Sequence, residues 1–256
     1  LFRIPTKIRF HTRNGDLAPA LPSGAVVTWA GLYWGGVSAN ALRNTCRFGT
    51  PVAGYATVTA TQIDLRGNDY KAFRDVTSQV QAGGNGTYRV ANVYSAPGQS
   101  DKHGGWSLVV MYRDATQSPR NLVVFDGYGA VSTTTNIDMT VSGFLTPPAG
   151  AVSTRLGVVA YEGDLGYTGD TFQLNGTSLA DNRNPATNFF NSTISSLGVN
   201  VTTKNPNYIN QLGFDIDLIS ANGILGNSAT SATIRLTSSN DVYFPAVVTF
   251  ATDLYA

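Results

Sequence analysis

The sequence predicts an all-β protein, either one jelly-roll-like antiparallel β-sandwich or two such sandwiches in tandem. Apolar and polar residues alternate with a period of two along much of the chain, whereas the 3.6-residue period of amphipathic helices is almost absent. Clusters of glycine, proline and asparagine separate the alternating runs, as turns separate short strands. Aromatic residues make up 11% of the chain, which favours pleated, half-buried surfaces.

The alternating runs define the expected strands and leave room for two short helical turns. The predicted strands are 25–33, 53–65, 86–94, 106–113, 121–126, 135–141, 154–162, 171–174, 211–218, 231–237 and 243–252. Helical turns are predicted at 75–80 and at 184–190, the second with Pro185 near its first position. The double proline at 147–148 predicts a boundary between halves 1–146 and 151–256, and a single continuous sandwich stays equally open.

The composition narrows the classes of function. Charged residues make up only 13% of the chain and the net charge is +1, so no basic field points to a nucleic-acid partner. No apolar run approaches the roughly 18 residues of a membrane span, so no direct membrane insertion is expected. A surface rich in uncharged polar residues suits an exported β protein, and an extracellular location is predicted.

Cysteine and histidine offer little for catalysis. Cys46 is the only cysteine, which excludes an intrachain disulfide, and it is predicted to be a small buried hydrophobe. The two histidines, His11 and His103, are not near a nucleophile-elbow sequence, and His103 is predicted to be a solvated loop residue. Glu162 is the only glutamate, which weighs against a carboxylate-pair glycosidase. We therefore expect the chain not to be an enzyme.

Acidic residues in a glycine-containing loop predict a calcium site. Glu162, Asp164 and Asp170 are linked by the loop from Gly163 to Gly169, and such loops present the carboxylate and carbonyl oxygens that Ca²⁺ prefers. Asp215 and Asp217 lie two apart on a predicted strand, hence on one face, and are expected to support the same ion. The alternative is that these acids cap turns through backbone N–H groups.

Aromatic residues divide into predicted core and predicted contact surface. Trp29 and Tyr33 share one face of a strand while Trp34 lies on the other, which favours packing between sheets. By contrast, Tyr128, Tyr161 and Tyr167 lie near glycine-rich loops. They are predicted to be exposed contact residues of a binding surface.

The N-terminal segment suggests a route to assembly. Phe2, Ile4, Ile8 and Phe10 fall on one face of an extended strand. One hypothesis is that this strand completes the sheet of another copy of the chain by β-strand addition, giving a filament. The alternative is that the strand pairs within its own sandwich.

Several motifs resemble a known family. They are 29–36 (WAGLYWGG), 105–112 (GWSLVVMY), 123–127 (VVFDG), 162–164 (EGD), 168–170 (TGD), 188–192 (NFFNS), 212–217 (LGFDID) and 243–245 (YFP). Together they resemble the N-terminal head region of large bacterial surface proteins that continue into tandem immunoglobulin-like repeats. In addition, 73–80 followed by 86–90 resembles a corner of galactose-binding-like jelly rolls. The resemblance implies a surface location and an adhesive or structural role, with no catalytic residues.

These observations lead to one main function and two alternatives. The main expectation is an extracellular structural or adhesive module of a bacterial surface protein, with other copies of itself or neighbouring repeats as partners. The first alternative is a calcium-assisted carbohydrate-binding module with glycans as partners, and the second is a glycoside hydrolase.

Overall fold

The computed structural model describes residues 6–9, 15–16, 21–96 and 102–255, and it confirms the all-β, jelly-roll-like sandwich class. The strands are β1 (Thr6–Arg9), β2 (Gly15–Asp16), β3 (Val26–Val37), β4 (Thr45–Thr50), β5 (Ala53–Thr59), β6 (Gln62–Arg66), β7 (Asp69–Asp75), β8 (Thr87–Ala91), β9 (Gly104–Arg113), β10 (Arg120–Asp126), β11 (Ile137–Ser142), β12 (Thr154–Tyr161), β13 (Asp170–Leu174), β14 (Thr177–Ser178), β15 (Ile194–Ser196), β16 (Val199–Asn200), β17 (Phe214–Ser220), β18 (Ser231–Ser238) and β19 (Phe244–Asp253). A 3₁₀ turn (Ala41–Asn44) and one helix, α1 (Thr77–Gly83), accompany them.

The chain divides into two compact units. Residues 7–115 and 201–208 belong to the N-terminal unit, and residues 116–200 and 209–255 belong to the C-terminal unit. The division therefore falls near Ala115, well before the double proline on which the predicted boundary at 146–151 rests. Pro147 instead lies inside the C-terminal unit, where its carbonyl accepts hydrogen bonds from Ser228 N (3.2 Å) and Asn227 Nδ2 (2.8 Å).

The N-terminal unit contains a five-stranded sheet, β1-β9-β3-β7-β6, and a four-stranded sheet, β2-β8-β4-β5. Its core takes alternate residues of β3 (Ala30, Leu32 and Trp34), all fully buried, together with Trp106 from β9. Trp29 lies on the opposite face, where its ring stacks on Phe73 with centroids 6.3 Å apart. The predicted division of the aromatics between two faces is thus confirmed.

The position of β1 bears on the assembly hypothesis. This strand lies beside β9 in a sheet of its own chain, as the alternative to strand addition requires. This pairing argues against the hypothesis of β-strand addition, which requires β1 to be unpaired in its own chain. Phe2, Ile4 and Phe10 lie outside the described residues, and Ile8 falls within the described backbone of β1.

The C-terminal unit also contains two sheets, one of six strands (β10-β19-β12-β17-β15-β16) and one of four (β11-β18-β13-β14). Pairing is antiparallel except between β15 and β17. Its apolar core contains Leu156 and Val158 from β12, Ile234 from β18 and Phe190 from the segment before β15. The ring of Phe190 stacks on that of Tyr243 with centroids 4.1 Å apart.

Some local predictions differ from the structure. α1 confirms the first helical turn, and Asp75 Oδ1 accepts the N–H of Thr77 at its start (2.9 Å). The second prediction, at 184–190, is wrong: this segment is irregular, because Asp181 Oδ1 binds the N–H of Asn184 and Asp170 Oδ1 binds that of Phe190. Such side-chain bonds compete with helical ones. The predicted strand 53–65 is two strands, β5 and β6.

Candidate functional site

Three carboxylates meet at one end of the C-terminal unit. One carboxylate oxygen from each of Glu162, Asp164 and Asp241 lies within 4.8 Å of the other two, and we call these residues the acid cluster. Glu162 follows the end of β12, Asp164 lies in the loop before β13, and Asp241 lies between β18 and β19. Glu162 and Asp164 share the loop between β12 and β13, and the topology brings this loop to the turn of Asp241 although Asp241 is distant in sequence. Within the described residues, no other group of three acids, histidines or cysteines meets this spacing.

The loop carrying two members of the acid cluster is held by backbone bonds. The N–H of Glu162, whose φ is +73°, donates to the carbonyl of Gly213 (2.8 Å). Ser192 Oγ donates to the carbonyl of Gly163 (2.5 Å) and accepts the N–H of Gly213 (2.8 Å). A Cβ at Gly163 would lie 2.4 Å from the carbonyl oxygen of Phe190 and 2.5 Å from Asp215 Oδ2. Glycine is therefore required between Glu162 and Asp164, because any side chain would displace the loop or its support.

Asp241 is the buried member of the acid cluster. It is 5% exposed, and its Oδ1 accepts the N–H of Val242 (2.7 Å). Its Oδ2 has no hydrogen-bond partner among the described residues. Burial, assisted by the negative charges of Asp164 and Asp170, raises the pKa of the Asp241 carboxyl to about 6. A cation beside Asp241 would relieve that cost of burial, since a nearby positive charge favours the ionised form.

The other predicted ligands lie in the interior instead of in the acid cluster. Asp170 is fully buried; its Oδ1 accepts the N–H of Phe190 (2.8 Å), and burial raises the pKa of its carboxyl. Asp215 and Asp217 are also fully buried, and they face the core because they pair with Ala160 and Val158 of β12. The five predicted acids therefore do not gather around one ion.

The two acids of β17 fix the segment that precedes and forms β15. Asp215 Oδ1 accepts the N–H of Thr193 (3.0 Å), and Asp217 Oδ1 accepts the hydroxyl of Ser195 (2.7 Å). Burial, with the charge of Asp217 as the next cause, raises the pKa of Asp215 well above its usual value. Burial likewise raises the pKa of Asp217 to about 7. The Oδ2 atoms of both acids have no partner in the described part of the chain.

The three predicted contact tyrosines separate in the structure. Tyr167 is 59% exposed and lies in the same loop as Asp164, as a surface contact requires. Tyr161 is fully buried, with its ring 4.9 Å from that of Phe214, so the expectation of exposure is wrong for this residue. Tyr128 is partly buried and packs edge-on against Tyr161 at 5.9 Å. Of these three tyrosines, only Tyr167 is exposed in the loop that carries part of the acid cluster.

Two residues of the N-terminal unit test the predictions about catalysis. Cys46 is 1% exposed and burial raises the pKa of its thiol to about 12, which confirms the buried, unreactive role. His103 is 4% exposed, so its predicted solvation is wrong. Its Nε2 lies 3.4 Å from Asp69 Oδ1. Burial lowers the pKa of His103 to about 4, with Asp69 opposing and Lys102 adding to that effect.

Sequence reasoning missed Asp241. The available signal was an acid in the polar turn Ser238-Ser239-Asn240-Asp241 between two strands, which also fits an ordinary capping residue. Ser238 Oγ does accept the N–H of Asp241 (2.9 Å). Only the tertiary pairing of β12, β18 and β19 with their neighbours shows which turn reaches the loop of Glu162 and Asp164.

Comparison with known proteins gives fold-level similarity alone. No protein-family model matches the chain, and no curated protein sequence matches it. Among solved structures, it is similar to a β-porphyranase of glycoside hydrolase family 86 from the human gut bacterium Bacteroides plebeius (10% identity, TM-score 0.33). The match covers 89% of this chain and 30% of that one, so the chain spans about a third of the enzyme's length.

Two other solved structures match over most of both chains. A conserved protein of unknown function from Pseudomonas aeruginosa PAO1 is 9% identical, with 98% of this chain and 81% of that one covered and a TM-score of 0.32. PNGase F, a glycosylasparaginase from Flavobacterium meningosepticum, is 9% identical, with 98% and 89% covered and a TM-score of 0.29. TM-scores this low assign no activity to the chain.

The expectation that the chain is not an enzyme is nevertheless wrong. The matched solved structures include a glycoside hydrolase and a glycosylasparaginase. The missing histidine partner is also no exclusion, because glycoside hydrolysis uses two carboxylates, either of which is Asp or Glu. No helix in the described part of the chain has the length and apolar character of a membrane span.

Proposed function

We propose that the chain is a glycan-binding β-sandwich module whose acid cluster holds a calcium ion. The acid cluster itself is the observation that carries the proposal: three carboxylate oxygens lie within 4.8 Å of one another, and Asp241 is buried with one oxygen lacking a hydrogen-bond partner among the described residues. An uncompensated buried carboxylate is costly, and a divalent cation is a common way to neutralise it.

The donor set fits a hard cation. Glu162, Asp164 and Asp241 would supply carboxylate oxygens, which Ca²⁺ prefers over nitrogen or sulfur ligands. The ion would supply positive charge and open coordination positions for the hydroxyl oxygens of a sugar. Tyr167, exposed in the same loop, offers an aromatic surface for the C–H face of the ring.

An extracellular location belongs to the same proposal. The low charge content supports export, and millimolar calcium outside cells would keep a site of modest affinity loaded. The resemblance to heads of bacterial surface proteins supports placement at a cell surface. On this proposal the module would bind glycans there.

Calcium titration tests the ion. By mass action, calcium at about 100 times its Kd adds about 2.7 kcal/mol to the stability of the native state, which raises Tm by roughly 5 to 10 °C. EDTA should reverse the rise, and Asp164→Asn should abolish it. Asp126→Asn, on an acid of β10 outside the cluster, is the matched control and should leave the shift intact. Equal melting in calcium and EDTA would refute the site.

Glycoside hydrolysis by the same carboxylates is the second candidate. The specific observation is the spacing, because retaining glycosidases place two carboxyl groups about 5 to 5.5 Å apart and the acid cluster is similarly close. One acid would protonate the glycosidic oxygen while another attacks the anomeric carbon. Release of reducing ends from neutral oligosaccharides, lost in Asp241→Asn and Glu162→Gln, would favour this candidate. Binding without turnover would favour the module.

A further inference from the structure

Exposed apolar side chains flank the acid cluster on three loops. Leu165 (55% exposed), Tyr167 (59%), Leu212 (70%) and Val242 (40%) are large apolar residues that the C-terminal unit leaves in solvent, and we call them the apolar collar. Single exposed apolar residues are ordinary on protein surfaces, but several beside one polar site mark a binding surface.

The chain connects each member of the apolar collar to the acid cluster. Leu165 directly follows Asp164, and Val242 directly follows Asp241. Leu212 precedes Gly213, whose carbonyl accepts the N–H of Glu162 (2.8 Å).

The loop of Tyr167 is joined by a backbone hydrogen bond to the turn that carries Asp241. The carbonyl of Gly169, two residues after Tyr167, accepts the N–H of Ser239 (3.0 Å), two residues before Asp241. The N–H of Gly169 donates to the carbonyl of Thr187 (2.6 Å), which ties the other side of the loop to the irregular segment before β15. The two loops of the acid cluster therefore carry Leu165, Tyr167 and Val242, and the loop before β17 carries Leu212.

The charges near the acid cluster disfavour an anionic ligand. Asp170 and Asp241 are at least nine-tenths buried. In residues 21–96 and 102–255, neither Asp170 nor Asp241 forms an ion pair with lysine, arginine or histidine. Glu162, Asp164 and Asp241 together set three carboxylates against the two positive charges of a calcium ion, so the loaded site has no excess positive charge, whereas recognition of sulfate or carboxylate depends on cationic donors.

From the apolar collar and these charges we infer that the ligand is a neutral sugar, which binds the cation through two adjacent hydroxyls and packs its C–H face on Tyr167 and Leu212. This inference rests on the proposed function and adds the class of glycan. An apolar surface next to a hard cation suits such a ring, because one edge of it offers oxygens and one face offers C–H groups. Tyr167 and Leu212 would then determine specificity without touching the ion.

A glycan array tests the inference with the full chain. Neutral oligosaccharides would be printed beside sulfated and carboxylated counterparts and beside neutral ones treated with periodate, which cleaves bonds between carbons bearing adjacent hydroxyls. Binding would be read in calcium and in EDTA. We expect calcium-dependent binding to neutral glycans that periodate abolishes. Vesicles containing phosphatidylserine would be assayed in parallel, since a cation ringed by apolar residues also suits an anionic membrane.

Variants separate the collar from the ion. Tyr167→Ala and Leu212→Ser should each weaken glycan binding at least about tenfold, as loss of a central contact does, and leave calcium affinity unchanged. Tyr55→Ala is the matched control, since Tyr55 is an exposed tyrosine (41%) of β5 in the other unit. The Tyr55→Ala variant should change neither glycan binding nor calcium affinity.

The outcomes distinguish the inference from the function on which it rests. Calcium-dependent binding confined to acidic glycans, or binding unaffected by periodate, would overturn the inference and leave the proposed function standing. Calcium binding without any glycan binding would overturn both. Binding to phosphatidylserine vesicles in place of glycans would overturn both and assign the collar to a membrane surface.

Discussion

The two units are both two-sheet sandwiches, yet they treat buried ionisable groups differently. In the N-terminal unit, Asp64 lies 2.8 Å from Nζ of the fully buried Lys71, and Asp69 lies beside His103. In the C-terminal unit, Asp215 and Asp217 are fully buried and have no cationic side chain in ion-pair contact among the described residues.

This difference indicates where binding chemistry belongs. The two charges of a buried ion pair compensate each other. Buried carboxylates without a cationic side chain beside them must instead bind protons or a cation. In the N-terminal unit, Asp64 thus neutralises the fully buried Lys71. The C-terminal unit leaves a buried carboxyl group, that of Asp215, without a cationic partner in the described part of the chain, next to the loop of Glu162 and Asp164, and this supports placing the ligand site there.

The largest expected effect comes from breaking the ion pair between Asp64 and Lys71 in the N-terminal unit. Asp64→Asn removes the charge facing Lys71 Nζ, and removing one partner of a buried pair is strongly destabilising. Because Asp64 keeps 31% of its side-chain exposure, we expect a loss of about 3 kcal/mol, at the low end for such pairs. Urea unfolding measures it. Asp138→Asn, in the exposed pair with Arg235, is the control and should produce no measurable change.

In the C-terminal unit, replacing an aspartate by asparagine should raise stability instead of lowering it. The pKa of Asp217 is about 7 when folded, above the unfolded value near 3.9, so the folded state binds the extra proton and stability falls as pH rises from about 4 to about 7. Asp217→Asn does not titrate, and after the cost of its new buried amide donors we expect a gain of about 2 kcal/mol at pH 8.

Unfolding of Asp217→Asn and the parent in EDTA at pH 4 and pH 8 checks this sign. At pH 4 the advantage should vanish, because the carboxyl of the folded parent is then protonated and that of the unfolded parent is about half protonated, which leaves little difference in bound protons to disfavour the parent. Destabilisation of equal size at both pH values would show that Asp217 is ionised and satisfied. The contrast between the two units would then fail.

The smallest expected effect concerns the loop between two members of the acid cluster. Gly163→Ala places a methyl group against the Phe190 carbonyl and Asp215 Oδ2, which should cost about 1 to 2 kcal/mol through overpacking. It should also weaken calcium binding by displacing Glu162 and Asp164. Gly166→Ala is matched, since nothing lies within 4 Å of its added methyl group. If both variants bind calcium as the parent does, the interior acids do not support the acid cluster.

The fold class and several local features could be predicted from the sequence alone. Two-residue alternation reports which residues share a strand face, so the division of Trp29 and Trp34 between faces followed directly. The burial of Cys46 and the first turn of α1 were also correct. Strand β7, whose sequence is DYKAFRD, was missed because Lys71 is charged yet buried, and alternation treats a charge as exposed.

The site depended on contacts that no local pattern contains. Glu162 and Asp164 were predictable because they share one loop, but Asp241 reaches them through the pairing of distant strands. Asp215 and Asp217 share a face as predicted, but the sequence could not tell whether that face meets solvent, an ion or the core. Spacing fixes neighbours along a strand, whereas strand order in the sheets decides which loops meet and which carboxylates are buried.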